Sequence, residues 1–362
     1  MLVWSIASQK GGVGKTTTVA SLAGWFQKEN LRVLMIDTDP HASLTSYLGF
    51  DYNNVANSLY DLYTAKELTK EGVEQCITHT NFPNLDIIAS SMTLATIDRK
   101  LSGRVGVGRI LTKALALIDD EYDVALIDCP PVLGALMVNA LVASTSVLVP
   151  TQTEFLSLKG LEGMVRTFSI MKKADGQFNI NFTVVPTMFD KRTKASRTSL
   201  EFLKAHYTDN LWDGQIPVDT LFRESSQKGM PITMLDEKCR GAVAYRKLLT
   251  DQLVKELSVN PDRISPNAAA LVTLESEKKK KKTETQERHD FLPKGDFSLA
   301  GLSLGQRFKD YSFMEWERKM MNPGEEIWYY EGYGVRMTKK EHWIMAFFLT
   351  DDRMLTPRGL AM

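Results

Sequence analysis

The 362 residues carry 44 basic and 44 acidic side chains, so no net charge draws the whole molecule to nucleic acid or anionic lipid, and any such contact must be local. With 43% hydrophobic residues the chain can bury a large core, and its length points to one large domain with an appendage, or to two domains. The three cysteines, Cys76, Cys129 and Cys239, are far apart and odd in number, which speaks for reduced thiols and against a disulfide framework or a metal cluster.

In chain order, apolar β-rich runs alternate with helical patterns as far as residue 257. The predicted strands are 2–8, 32–37, 85–90, 122–128, 146–151 and 178–187. Most are continuous hydrophobic runs, as expected of strands covered on both faces. The periodic segments TTTVASLAGWFQKE, GRILTKALALIDD and LKGLEGMVRTFSIMKK between them are long enough to be crossover helices. The expected architecture is a doubly wound α/β fold with a mostly parallel sheet, whose ligands bind beyond the carboxyl ends of the strands. A helix, GAVAYRKLLTDQLVKEL, closes this unit, so the first domain is read as residues 1–257. Residues 258–296 hold prolines and the run Lys278 to Lys282 and read as a flexible linker. From residue 297 aromatics return, Trp316, Trp328 and Trp343 among them. There EEIWYYEGYGVRM predicts two short strands around a Gly-containing turn and HWIMAFFLT a third, so 297–362 reads as a small C-terminal module. No apolar run approaches the roughly 20 residues that span a bilayer, and LVWSIAS has none of the pattern of a signal peptide, so a cytoplasmic location is expected.

The chemistry starts after the first strand, at SQKGGVGKTT. Strand, Gly-rich loop and helix together make an anion site, because unpaired backbone N–H groups and the positive end of the helix dipole converge. Gly11, Gly12 and Gly14 let the backbone wrap around phosphate, with Val13 and Thr17 completing the loop. Lys15 supplies charge to the β and γ phosphates of a nucleotide, and the Thr16 hydroxyl a ligand for Mg²⁺. The usual pattern G-x-x-x-x-G-K-[ST] has a glycine where this chain has Gln9, and Lys10 is a second lysine. Asp37 and Asp39 end the second strand and Asp128 ends YDVALID, so carboxylates face the loop. There one can hold Mg²⁺ and another can orient the attacking water.

KGGVGKTT, DTDPHAS and LIDCPP together resemble the deviant Walker A ATPases of the ParA/MinD type. Asn139-Ala140-Leu141, VLVPTQTEFLSLKGLEGM, TMFDKRT and IPVDTLFRESSQKGMPI extend the likeness through residue 257. The resemblance implies ATP and Mg²⁺ as cofactors, slow ATP hydrolysis stimulated by a partner, and a homodimer that forms around two ATP molecules. It implies that Lys10 reaches the partner's phosphate, Lys15 serves its own subunit's ATP, Thr16 and Asp128 hold the metal, and Asp39 positions water. Pro217 and Asp219 fall where the family contacts adenine, although the polar position is commonly Asn.

The family divides by what the switch controls. DTDPHASLTSYLGFD, SLYDLY and the variation from Val218 to Phe222 resemble the subgroup that positions chemotaxis arrays at the cell pole, called ParC, working through a protein adaptor. A plasmid or chromosome partition ATPase with a DNA-bound adaptor is the alternative, and an ATP-dependent biosynthetic enzyme on the same fold is a third reading. Non-specific DNA contact is expected at Lys191, Arg192, Lys194 and Arg197, before and within a helix start. The ending DDRMLTPRGLAM has a proline and no apolar helical stripe, so membrane binding is not expected.

Overall fold

Each predicted strand of the first unit forms, and the reason lies in where its alternate side chains go. The structure, a computed structural model, describes residues 1–101, 107–174 and 180–273, together with the backbone of six strands between residues 298 and 349. The chain divides into two compact units, Met1–Thr273 and Leu274–Met362.

The first unit is built on β1 (Leu2–Ile6), β2 (Val33–Asp37), β3 (Ile77–His79), β4 (Leu85–Ile88), β5 (Val124–Asp128), β6 (Ser146–Gln152) and β7 (Phe182–Thr187). They form one sheet in the order β3-β4-β2-β5-β1-β6-β7, parallel throughout except for the β3–β4 pair. Leu2, Trp4 and Ile6 face one core cluster and Val3 and Ala7 the other; Met35 and Leu126 join the first, Ile36 and Ile127 the second. Both faces are therefore dry, which is why these strands read as unbroken apolar runs. β3 was missing from the sequence reading because it is three residues long, partly exposed and carries no apolar run.

Helices Lys15–Lys28 (α1), Ile110–Leu117, Phe155–Ala174 and Arg240–Val259 lie where the periodic segments predicted them. The last of these closes the unit from the far end of the sequence: Trp4 Nε1 donates to the buried Glu256 Oε1 at 2.9 Å, and Trp25 Nε1 to Ala242 O at 2.8 Å.

The chain does not become a linker at residue 258. It continues through the turn Pro261–Arg263, and Ala268, Leu271 and Val272 bury in the core cluster that contains Trp4 and Leu253. The compact unit ends at Thr273: Ala268, Leu271 and Val272 stand at helical spacing, and three apolar residues are easily lost among the prolines and lysines that suggested a linker. The lysine run 278–282, Trp316, Trp343 and the residues from 350 onward lie outside the described residues.

In the second unit, strands Glu317–Asn322, Glu325–Tyr330, Tyr333–Thr338 and Ile344–Leu349 form an antiparallel four-stranded sheet in sequence order. The predicted pair around a Gly turn is its two central strands. Glu317–Asn322 went unpredicted, since ERKMMN lacks the β-branched and aromatic residues that mark a strand.

Candidate functional site

Strand register assembles the site. Ile6 and Asp37 both pair with Asp128, so β1, β5 and β2 end side by side, and the loop after β1 emerges beside two carboxylates. The loop leads into α1, which starts at Lys15 behind Gly14, a left-handed residue with φ 95° and no side-chain cap. Gly12 has φ 75°, a conformation that costs any residue with a Cβ. A Cβ added at Gly11, Gly12 or Gly14 would meet nothing within 4 Å, so there is open space where side chains of this loop would stand. The first amides of α1 have no acidic residue in the first turn to satisfy them. Open space, free amides and a helix dipole are what an anion needs.

The side chains around this space are fixed by short contacts. Thr16 Oγ1 donates to Asp128 Oδ2 at 2.6 Å. Asp128 is buried, and its Oδ1 has no partner among the described residues, an orphaned carboxylate oxygen of the kind a metal ion satisfies. Burial and then the Asp37 charge push the Asp128 carboxyl up to about 8. Lys15 is buried, with Nζ donating to Lys10 O at 3.4 Å, so its ammonium is folded over the loop it serves. Thr187 Oγ1 at the end of β7 donates to Val13 O at 2.9 Å and ties the loop to the sheet. Thr17 is half-buried on the first turn of α1.

The carboxylates at the end of β2 and just after it divide their roles. Asp37 is fully buried and accepts from Thr45 N and Thr45 Oγ1, both at 2.8 Å, and from Asp39 N at 3.1 Å. Burial pushes its carboxyl up to about 6, and its contacts make it the brace of this turn. Asp39 sits at the edge: its Oδ1 accepts from His41 N at 2.9 Å and lies 2.9 Å from His41 Nδ1. The exposed His41 ring is a neighbour that the sequence did not flag.

Lys10 has an unanticipated partner. Its Nζ forms an ion pair with Glu154 Oε1, on the residue before helix Phe155–Ala174. Gln9, the departure from the phosphate-loop pattern, donates through Nε2 to Thr167 Oγ1 of the same helix at 2.9 Å. Room for this contact comes from Gly160 and Gly163: a Cβ at Gly163 would lie 2.3 Å from Gln9 Oε1, and one at Gly160 3.3 Å from Lys10 Cβ.

Pro217 and Asp219 lie on the segment before a short helix. Pro217 forms a bridge with Phe189 and lines a cleft of about 880 Å³ with Asp190, Val218 and Arg240. Asp219 does not reach into that cleft's lining; its Oδ1 accepts from Leu221 N at 3.1 Å and its Oδ2 from Gly241 N at 3.0 Å. These contacts make Asp219 a brace between a short helix and helix Arg240–Val259.

In the basic segment, Arg192 Nη2 lies 2.7 Å from Asp190 Oδ2, which holds the Asp190 carboxyl down at about 2. Thr193 caps helix Lys194–His206, and Lys191, Lys194 and Arg197 are exposed. Asn139 is fully buried, and its Oδ1 accepts from Ile110 N at 3.0 Å, so it caps a helix and stands outside the phosphate loop.

A family model described as "AAA domain" matches residues 1–184. The sporulation initiation inhibitor protein Soj of Bacillus subtilis is 34% identical over 256 residues, 71% of this chain and 98% of that protein. The chromosome partitioning protein ParA of Caulobacter vibrioides is 34% identical over 259 residues, 70% of this chain and 94% of that one. This chain belongs to the ParA family of ATPases. Among solved structures, the ParA fold seen here superposes on cobyrinic acid a,c-diamide synthase from Mycobacterium smegmatis with bound ATP analog and magnesium, at a TM-score of 0.61 and 29% identity over 73% of this chain and 98% of that one. Among the described residues no helix is long and apolar enough to cross a membrane.

Proposed function

We propose that the protein is an ATP-dependent dimerising switch that positions or segregates an intracellular cargo in the cytoplasm. The observation that carries this reading is the open glycine loop closed on one side by the Thr16–Asp128 contact at 2.6 Å, with one Asp128 oxygen unpaired. The amides from Lys10 to Thr17 would cradle the phosphates, Lys15 would neutralise the β and γ groups, and Thr16 and Asp128 would hold Mg²⁺. When bound, Mg²⁺ offsets the charge that develops on the transferred phosphoryl group. Asp39 orients the attacking water from the edge of the site, with His41 fixing its carboxylate, while Pro217 forms one wall for the adenine. Asp219 acts on that wall indirectly, by bracing its loop.

Lys10 serves the nucleotide of a second copy. Around it the ends of β5 and β6 expose Val132, Leu133, Phe155 and Leu156, an apolar surface on the same edge as the loop that association would cover. A charge supplied in trans makes the complete site exist only in the dimer, so ATP favours association and hydrolysis reverses it. Lys10→Ala should abolish ATP-induced dimerisation in light scattering, and Asp39→Ala should dimerise without turnover. A dimer that forms without ATP and ignores Lys10→Ala would overturn the switch.

The cargo follows from the segments from Asp37 to Asp51 and Ser58 to Tyr63, whose resemblance to array-positioning members supports a polar chemotaxis array reached through an adaptor. Partition of DNA is the second reading, supported by the name of the Caulobacter relative, a chromosome partitioning protein. It also has a local observation behind it: Lys191, Lys194 and Arg197 stand exposed at the positive end of a helix, where the dipole disfavours cations, so a bound phosphate would relieve the repulsion, while Arg192 is already paired with Asp190. The biosynthetic reading has the fold of the Mycobacterium synthase behind it and no further site among the residues above.

A further inference from the structure

We propose that Glu154 holds Lys10 inside its own subunit in the resting protein, so that this ion pair must open before the lysine can serve a partner's nucleotide. The inference rests on the dimer reading above. The two lysines of the loop have separate addresses. Thr16 is held by Asp128 and Lys15 reaches back to the Lys10 carbonyl oxygen, whereas the side chains of Gln9 and Lys10 are docked on helix Phe155–Ala174 and the residue before it. The Lys15 contact engages only the Lys10 carbonyl oxygen, so the Lys10 side chain can swing away from Glu154 while the loop half that holds Lys15 stays in place, and the exposed Gly11 and Gly12 leave open space where side chains would stand.

The environment of the pair fits a latch. Side chains of Lys10 and Glu154 are 26% and 39% exposed. A fully buried pair would be too costly to open, and a fully exposed one would hold nothing; at this exposure the contact is weak enough to be exchanged. Glu154 Oε1 is also 3.5 Å from Ser157 Oγ, a hydroxyl that can keep the carboxylate satisfied after the ammonium leaves. Phe155 and Leu156, directly after Glu154, are 67% and 65% exposed, so a second copy that covers them reaches the latch at the same moment. A nucleotide with several negative charges then competes with one carboxylate for the ammonium.

The test uses the full chain as wild type, Glu154→Gln, Glu154→Asp and Lys10→Ala. Dimerisation is followed by light scattering against ATP, and in nucleotide-free protein the rate of Lys10 acylation by an N-hydroxysuccinimide ester is followed by mass spectrometry. Glu154→Gln should raise Lys10 labelling while other lysines stay unchanged. It should lower the ATP concentration at half-dimerisation roughly three- to tenfold, since each dimer opens two partly exposed pairs. Glu154→Asp, which keeps the charge, should follow wild type in both readouts. A Glu154→Gln midpoint that is unmoved or raised, or unchanged Lys10 labelling, overturns the latch. A wild type that stays monomeric at saturating ATP overturns the dimer reading and the latch with it, and is visible without any variant.

Discussion

Gly163 and Gly24 are both helical glycines against which another segment packs, and replacing each with alanine separates tethering of the phosphate loop from simple crowding. In either helix, alanine in place of glycine gains about 1 kcal/mol of helical preference. At Gly163 the new Cβ would stand 2.3 Å from Gln9 Oε1, the end of a flexible side chain, so Gln9 must swing away and give up its 2.9 Å hydrogen bond to Thr167. That loss is about 1 kcal/mol, so Gly163→Ala should melt within a few degrees of wild type. Its ATP affinity should nevertheless fall about fivefold, the equivalent of the lost tether, because the Gln9–Lys10 half of the loop no longer has a fixed position. At Gly24 the Cβ would lie 2.5 Å from Pro231 Cβ and 2.3 Å from Thr233 Oγ1, and a proline ring cannot rotate aside. Overpacking there costs about 1–3 kcal/mol, a net loss of up to about 2 kcal/mol after the helical gain, so Gly24→Ala should lower Tm by a few degrees and leave ATP affinity near wild type. Thermal melts and calorimetric ATP titrations on the same preparations decide the matter. If Gly163→Ala melts higher by the full helical gain and binds ATP like wild type, the Gln9 contact has no bearing on the loop.

Truncation should locate the true end of the first unit: a chain ending at residue 257 loses the buried Leu271 and Val272, worth about 3–5 kcal/mol, and should melt well below one ending at 273. Equal melting temperatures would show that these residues add nothing. In metal-free buffer, the Asp128 carboxyl raised from 3.8 to about 8 makes proton uptake favour the folded state; that contribution is complete below about pH 4 and is lost as pH rises through 8. Wild type should therefore lose stability between pH 5 and 8 while Asp128→Asn stays flatter and is the more stable at pH 8, with parallel pH profiles refuting the assignment. Of the basic segment, Lys191→Ala plus Lys194→Ala should weaken salt-sensitive DNA binding more than Arg192→Ala, because Asp190 already neutralises Arg192; gel-shift titrations with the reverse order would point to Arg192.

What the sequence reveals here is what depends on near neighbours. Strands covered on both faces are continuous apolar runs, and the loop, its helix and the strand-end aspartates sit within a few residues of the pattern that announces them. Glu154 could not be found that way: it is 144 residues from Lys10, and only the β1–β6 pairing brings the two together. Asp219 illustrates the converse, a residue placed by resemblance whose oxygens are engaged by backbone amides. The packing of Ala268, Leu271 and Val272 was hidden because three small apolar side chains within a polar stretch carry too weak a periodic signal to outvote the prolines around them.

The strand order also sets a timetable for synthesis. β1 is the first strand made, yet its neighbours are β5 and β6, whose residues Val124 and Ser146 pair with Leu2 and Trp4. A ribosome adding about 5–20 residues per second has released the phosphate loop many seconds before either flanking strand exists. Until then the loop has no Asp128 beside Thr16 and no sheet to stand on, so a half-made chain lacks the framework that shapes its nucleotide site.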